Sequence, residues 1–165
     1  MGTVHFLLGG NSGNRSKYLE SAISMIEEAI GSVKEKSSVY QTEPWGFNAA
    51  TAFLNQVIRV DTALSPRETL HRTKEIEAKL GRLKRSDAYE SRVIDIDILM
   101  FDDLRVEDHD LQIPHPRMHL RKFTLVPLAE IAGSVLHPVL KLDMNALKRA
   151  CQDKLKVEMF NKPLI

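Results

Sequence analysis

The sequence predicts an α+β fold with an antiparallel sheet. Three observations predict it: two stretches of helical periodicity with capping residues at their ends, apolar runs of strand length flanking each stretch, and the resulting order strand, helix, strand, strand, helix, strand. Val4 to Leu8 is a short apolar strand, and Gly9-Gly10-Asn11-Ser12-Gly13-Asn14 is a turn feeding a helix. That helix runs from about Arg15 to Ile30, with Leu19, Ala22, Ile23, Ile26 and Ile30 as its apolar stripe, Asn14 as N-cap and Gly31 as its stop. Val33 to Gln41 and Phe53 to Thr62 read as strands joined by the loop Thr42 to Ala52.

Ser65-Pro66-Arg67-Glu68 is a capping box with proline at the first helical position, and it opens a second helix that Gly81 is expected to close. Leu70, Thr73, Ile76, Glu77 and Leu80 lie along its inward stripe. An apolar strand, Val93 to Phe101, follows. Beyond it come a polar connection from about Asp102 to Gln112, a His-Pro segment, a short helix near Lys122 to Ile131 and a last helix from about Met144 to Leu155. The first six elements match the split β-α-β order of ferredoxin-like domains, with both helices on one face and the C-terminal helices expected on the other. That fold hosts many unrelated functions, so function has to come from the residues of a site.

Length and composition suit one domain spanning residues 1–165, with 43% hydrophobic residues to supply a core. A formal net charge of +1 gives no overall basic field, which argues against nucleic acid and makes any phosphate affinity local. Cys151 is the only cysteine, so an internal disulfide or a cysteine-based zinc site is excluded, and a reducing, cytoplasmic setting follows most simply. It is expected to sit buried in the last helix. The first residues read as a strand and not a leader, and no stretch approaches membrane-spanning length. His115 and His119 have the spacing of helical metal ligands, but Pro114 and Pro116 oppose a helix there and no third ligand is apparent.

Asp95 and Asp97 interrupt the apolar run Val93-Ile94-Asp95-Ile96-Asp97-Ile98-Leu99-Met100-Phe101. Alternate strand residues share a face, so both carboxylates point the same way, with Cα atoms roughly 6 to 7 Å apart. Ile94, Ile96, Ile98 and Met100 are expected on the opposite, core face. Two like charges side by side in a strand need compensation, from basic neighbours on a solvated face or from divalent cations. Hard oxygen ligands in this number suit Mg²⁺ completed by phosphate oxygens. Arg82, Lys84, Arg85 and Arg92 crowd the connection upstream, where guanidinium forks could grip phosphoryl groups or simply balance the acids. Neither a Walker-type nor a Rossmann glycine motif is present. Phe53 and Asn55 share a strand face, an aromatic plane beside an amide, a pairing that suits a flat heterocycle.

Five pieces form an ordered set: Gly10-Asn11-Ser12-Gly13-Asn14-Arg15, Thr42-Glu43-Pro44-Trp45-Gly46, Phe53-Leu54-Asn55, Arg92-Val93-Ile94-Asp95-Ile96-Asp97-Ile98 and Pro114-His115-Pro116-Arg117-Met118. With them the chain resembles the 6-hydroxymethyl-7,8-dihydropterin pyrophosphokinase family of folate biosynthesis, from the first strand to about Ile131. The resemblance implies that ATP donates its β,γ-diphosphate to the hydroxymethyl group of a reduced pterin and that AMP is released. It implies two Mg²⁺ ions held by Asp95 and Asp97, with Arg82 and Arg92 on the phosphates and Lys84 where an arginine is more usual. Glu77, Ile98, His115 and Arg121 would lie around the nucleotide. Phe53 and Phe123 would flank the pterin ring and Asn55 meet its polar edge, while Thr42, Pro44 and Trp45 shape the pocket. It also implies a monomer with small-molecule ligands.

The chain departs from the pattern at Ala88, where a basic residue is usual, and at Glu90, where a small one is usual; Tyr89 replaces a frequent tryptophan. These changes fall in the Gly81 to Ser91 loop, which, with the loop Thr42 to Ala52, is expected to close over bound substrates. Two other readings share the paired aspartates: a two-metal nucleotidyltransferase or phosphodiesterase, and an ATP-sensing domain that transfers nothing. AMP release that depends on added pterin separates the first of these from a pyrophosphokinase, and loss of turnover in Asp97→Ala speaks against the second.

Overall fold

A computed structural model describes residues 1–42, 52–82 and 93–160, and the side chain of Arg82 lies outside that description. Pro44, Trp45, Lys84, Arg85, Ala88, Tyr89, Glu90 and Arg92 fall outside the described residues, as does most of each of the two loops expected to close. The elements are β1 (Gly2–Gly10), α1 (Arg15–Ala29), β2 (Gly31–Lys36), β3 (Tyr40–Thr42), β4 (Phe53–Thr62), α2 (Pro66–Arg82), β5 (Asp95–Phe101), β6 (Val106–Glu107), β7 (Gln112–Ile113), α3 (Lys122–Ala132), α4 (Met144–Ala150) and β8 (Val157–Met159).

The main sheet has the order β5-β1-β4-β3-β8, with β2 pairing β4 beside β3, and every pair in it is antiparallel. Strand alternation divides its two faces. Val4, Phe6 and Leu8 of β1, with Leu54 and Ile58 of β4 and Ile96 and Ile98 of β5, pack in one cluster with Leu19, Ala22 and Ile26 of α1 and Ile76 and Leu80 of α2. Phe6, fully buried at its centre, contributes about 2 kcal/mol by leaving water. Leu7, Val57 and Leu99 face the other way and pack with Leu125, Leu128 and Ala132 of α3 and Met144 and Leu147 of α4. The C-terminal helices therefore cover the middle of the second face and leave a recess at each end of it.

Caps read from sequence are made as expected. Asn14 accepts from the Lys17 N–H at 3.2 Å, and Ser65 and Glu68 exchange reciprocal bonds of 3.1 and 3.0 Å. Gly81 does not close α2, which continues to Arg82. The expected single strand from Val33 to Gln41 is instead two, β2 and β3. Ser37 separates them because its hydroxyl accepts from the Val57 N–H at 2.9 Å, taking a place a ladder carbonyl would fill. The polar connection after β5 carries the small β6–β7 pair.

Two corrections concern β5 and the C-terminus. Met100 does not share a face with Ile96 and Ile98. Phe6 pairs with Ile98 but His5 pairs with Met100, so Leu99 is an extra residue, and both Leu99 and Met100 pack toward α3. The last helix ends at Ala150, not near Leu155, and Cys151 is a half-buried cap residue. Beyond it, Asp153 accepts from the N–H groups of Lys122 and Leu155 at 3.0 Å each, and the chain then extends as β8 along β3.

On the second face, His5 is 5% exposed, and its pKa falls from 6.5 to about 4 because burial disfavours the imidazolium and Arg59 repels it. A lowered folded-state value means this histidine's stabilising share is complete above pH 6.5 and is lost as pH falls toward 4. Urea titrations across that window should therefore show His5→Gln losing less stability than the parent chain.

Candidate active site

At the Gly9 end of the second face, β1, β4 and β5 lie side by side, with Asp95 paired to Gly9 and Asp97 to Leu7. Both carboxylates line one cavity of about 190 Å³, as their odd-numbered spacing requires. Phe53 and Asn55 enter it from β4, Thr42 from β3, and Arg121 and Phe123 from the start of α3. Seven residues expected around substrates from sequence thus converge. The guanidinium carbon of Arg121 lies 5.5 Å from the Phe123 ring centroid, within cation–π range.

Several contacts fix these side chains. Glu130 of α3 accepts from the Tyr40 hydroxyl at 2.5 Å and from the Ser38 N–H at 2.9 Å, tying α3 to the strand that carries Thr42. Burial, then the Glu130 carboxylate, pushes Tyr40 up to about 12, so it stays a donor. Thr42 is buried, and its hydroxyl oxygen has no hydrogen-bond partner among the described residues. A buried hydroxyl left open in a cavity wall is ready for a polar ligand.

A second cavity, about 330 Å³, lies along the free edge of β5. Ile98 and His115 line it, with Leu70 and Lys74 from α2, and Asp97 borders both cavities. His115 is anchored through its N–H to the carbonyl of Leu99 at 2.8 Å. Its Nδ1 accepts from the Arg117 N–H at 3.1 Å, which places the proton of a neutral ring on Nε2. Burial, followed by the Arg121 and Arg117 charges, lowers its pKa, so the ring is neutral at pH 7.

Glu77 has a role that sequence did not reveal. Its Oε2 accepts from the N–H of Ile96, the residue between the two aspartates, at 2.7 Å, and Oε1 lies 3.4 Å from Lys74 Nζ. Edge strands leave such N–H groups unpaired, and this carboxylate satisfies one. Burial raises its pKa, and the neighbouring Asp95 charge adds to the rise. No group of three or more His, Cys, Asp or Glu residues suited to a metal occurs among the described residues.

The sequence profile for 7,8-dihydro-6-hydroxymethylpterin-pyrophosphokinase matches residues 5–133. The chain belongs to that family. It is 40% identical over 141 residues to the 2-amino-4-hydroxy-6-hydroxymethyldihydropteridine pyrophosphokinase of Porphyromonas gingivalis, covering 84% of this chain and 95% of that one. The enzyme of the same name from Aquifex aeolicus is 37% identical over 90% of this chain and 91% of its own length. Among solved structures, the HPPK-DHPS protein of Plasmodium falciparum superposes with a TM-score of 0.72 at 19% identity, over 91% of this chain and 43% of that longer one. At that identity the match speaks for the fold.

Three residues that line the first cavity were not expected there from sequence: Leu7, Gly9 and Leu155. Gly9 had a signal, the glycine pair ending β1. A Cβ there would collide with Oδ1 of Asn55, so only glycine lets that amide reach the cavity. Leu155 had none, because the segment reads as helix and is held by Asp153 across 31 residues. Asp153→Ala should lose about 1 kcal/mol in urea unfolding, as for a lost helix cap, and raise the KM for pterin by loosening the wall at Leu155.

Proposed function

We propose that Asp95 and Asp97 hold two Mg²⁺ ions between a pterin in the first cavity and the triphosphate of ATP in the second. The reaction is that of the family: diphosphate passes from ATP to 6-hydroxymethyl-7,8-dihydropterin, giving AMP and the pterin diphosphate in folate biosynthesis. The observation that carries the site assignment is Asp97, which borders both cavities.

Two carboxylates on one strand face at an open cavity fit a hard cation that keeps positions for water and phosphate oxygens. When bound, magnesium supplies charge neutralisation and alignment of the phosphates. The chain's own residues do the rest. Phe53 and Phe123 offer apolar faces to the ring, and Asn55 and the unpartnered Thr42 hydroxyl meet its polar edge. His115 offers a neutral Nε2–H donor beside Ile98 in the nucleotide cavity, while Lys74 adds a positive charge. Arg121 lines the first cavity together with Asp95 and Asp97 and is assigned to the transferred phosphates on family resemblance. Arg82, Lys84 and Arg92 are assigned to the triphosphate, and Pro44 and Trp45 to the pterin, on family resemblance. Glu77 holds the strand between the metal ligands.

With the substrates so placed, the hydroxymethyl oxygen bonds to the β-phosphorus and releases its proton to solvent water. The bond from that phosphorus to the oxygen bridging to the α-phosphate breaks, and AMP leaves with that oxygen. Proximity supplies much of the rate, and fixed cations offset the charge that develops on the leaving group.

The strand order and directions support a ferredoxin-like core in which β4 separates the parallel strands β1 and β2. β8 joins the same sheet, which supports reading residues 1–165 as one pyrophosphokinase domain, while its action as a monomer rests on family resemblance alone. No helix among the described residues is long and apolar enough to cross a membrane, and with a lone cysteine this supports a cytoplasmic enzyme. The test is AMP release from Mg-ATP with and without the pterin. Release should require the pterin; equal release without it would assign the site to a hydrolase.

A further inference from the structure

The recess at the opposite end of the second face is also a cavity, about 380 Å³, lined by Thr3 and His5 of β1, Arg59 of β4 and Met100 of β5. It lies four to six residues along β1 from Gly9, roughly 13 to 20 Å from the pyrophosphokinase site, and shares no lining residue with it. Two buried polar atoms in its wall have no hydrogen-bond partner among the described residues: Nε2 of His5 and Nε of Arg59. His5 is 5% exposed, and nothing in the proposed transfer uses it. Buried polar atoms are nearly always satisfied, so two orphans on one cavity mark a place where something polar binds.

The lining has three chemical regions. Arg59 is held 3.0 Å from Glu35, which largely balances its charge while leaving the Nε–H free to donate. Asp102 and Asp103 stand exposed at the mouth, with Asp102 also accepting from the Thr3 N–H at 2.9 Å. Met100, Ile131, Val135 and Leu136 form an apolar wall. The orphaned Nε–H asks for an acceptor, the two aspartates for a positive group, and the wall for hydrocarbon. A simple anion would meet the aspartates, and a simple amine would leave Arg59 unsatisfied.

We infer that this cavity is a second ligand site, built for a small zwitterion with a hydrocarbon body, of which an apolar α-amino acid is the type. Its carboxylate accepts from Arg59 and His5, its ammonium group lies against Asp102 and Asp103, and its side chain packs on Met100 and the residues of the α3 end. Burial keeps His5 neutral, so its Nε2 can take either hydrogen-bonding role.

Three near-isosteric probes separate these requirements: L-leucine, 3-methylbutylamine, which lacks the carboxylate, and 4-methylpentanoate, which lacks the ammonium group. Each is titrated into the full chain while the methyl NMR signal of Met100 is followed. Leucine should shift that signal saturably and bind more tightly than either fragment. Asp103→Asn and Arg59→Lys should each weaken leucine roughly tenfold, the usual effect of losing one charge-assisted hydrogen bond. Asp103 is exposed, so its variant tests the site without threatening the fold. The inference is overturned if no probe gives a saturable shift, which would make the cavity solvent-filled. It is equally overturned if a fragment matches leucine, or if leucine binds both variants as it binds the parent.

Discussion

Replacing Asp97 with alanine should lower kcat roughly a thousandfold, equivalent to about 4 kcal/mol of transition-state stabilisation, while pterin still binds. The size follows from position, since Asp97 is the acidic residue that borders both cavities. On the proposed assignment, removing it takes away a cation ligand and the link between the two substrates together. Phe53, Phe123 and Asn55 lie on the pterin side and are untouched, so fluorescence titration with pterin should give a nearly unchanged Kd. The fold should hold as well, because Asp97 is only half-buried and alanine fits a strand there. Turnover within a few-fold of the parent in a correctly folded Asp97→Ala chain would refute the metal assignment.

Gly9→Ala should cost about a hundredfold in kcat/KM for pterin, from the addition of one methyl group. The new carbon collides with Oδ1 of Asn55, and the strand cannot retreat because β1 is paired on both sides, to β4 and β5. Asn55 must therefore swing away from the cavity. The effect should fall on pterin much more than on ATP, and the double variant Gly9→Ala, Asn55→Gly should lose little more than Asn55→Gly alone, because both changes take away the same amide. Equal losses for both substrates would mean that the strands had parted and that the amide had not merely been displaced.

Sequence revealed much of this site because its main residues lie on strands, where a period of two fixes direction without tertiary information. Asp95 with Asp97, and Phe53 with Asn55, are read by counting, and the structure brings all four to one cavity. Helix limits set by local side chains, Asn14 and the Ser65–Glu68 pair, were legible for the same reason. What escaped depends on distant partners. Ser37 interrupts a strand by bonding Val57 across the sheet, Asp153 ends a helical pattern by capping α3, and Glu77 turns inward to serve the amide of Ile96. The first two local patterns were sound and were overridden by hydrogen bonds to residues at least 20 positions away, whereas Glu77 lies inward as expected and only its partner was hidden.

The additional residue at Leu99 in β5 has a consequence for how the two substrate sites can vary. It shifts the strand's alternation by one step, so Asp97 before it and Met100 after it face the same side. A chain lacking residue 99 would keep every other β5 side chain on its present face and keep both aspartates in place. It would lose the buried Leu99 side chain, which packs under α3, and with it the carbonyl that anchors His115. Such a deletion should uncouple the halves of the site, sparing pterin affinity while impairing ATP. One extra residue thus separates the anchor of His115 from the strand positions that set the acidic pair.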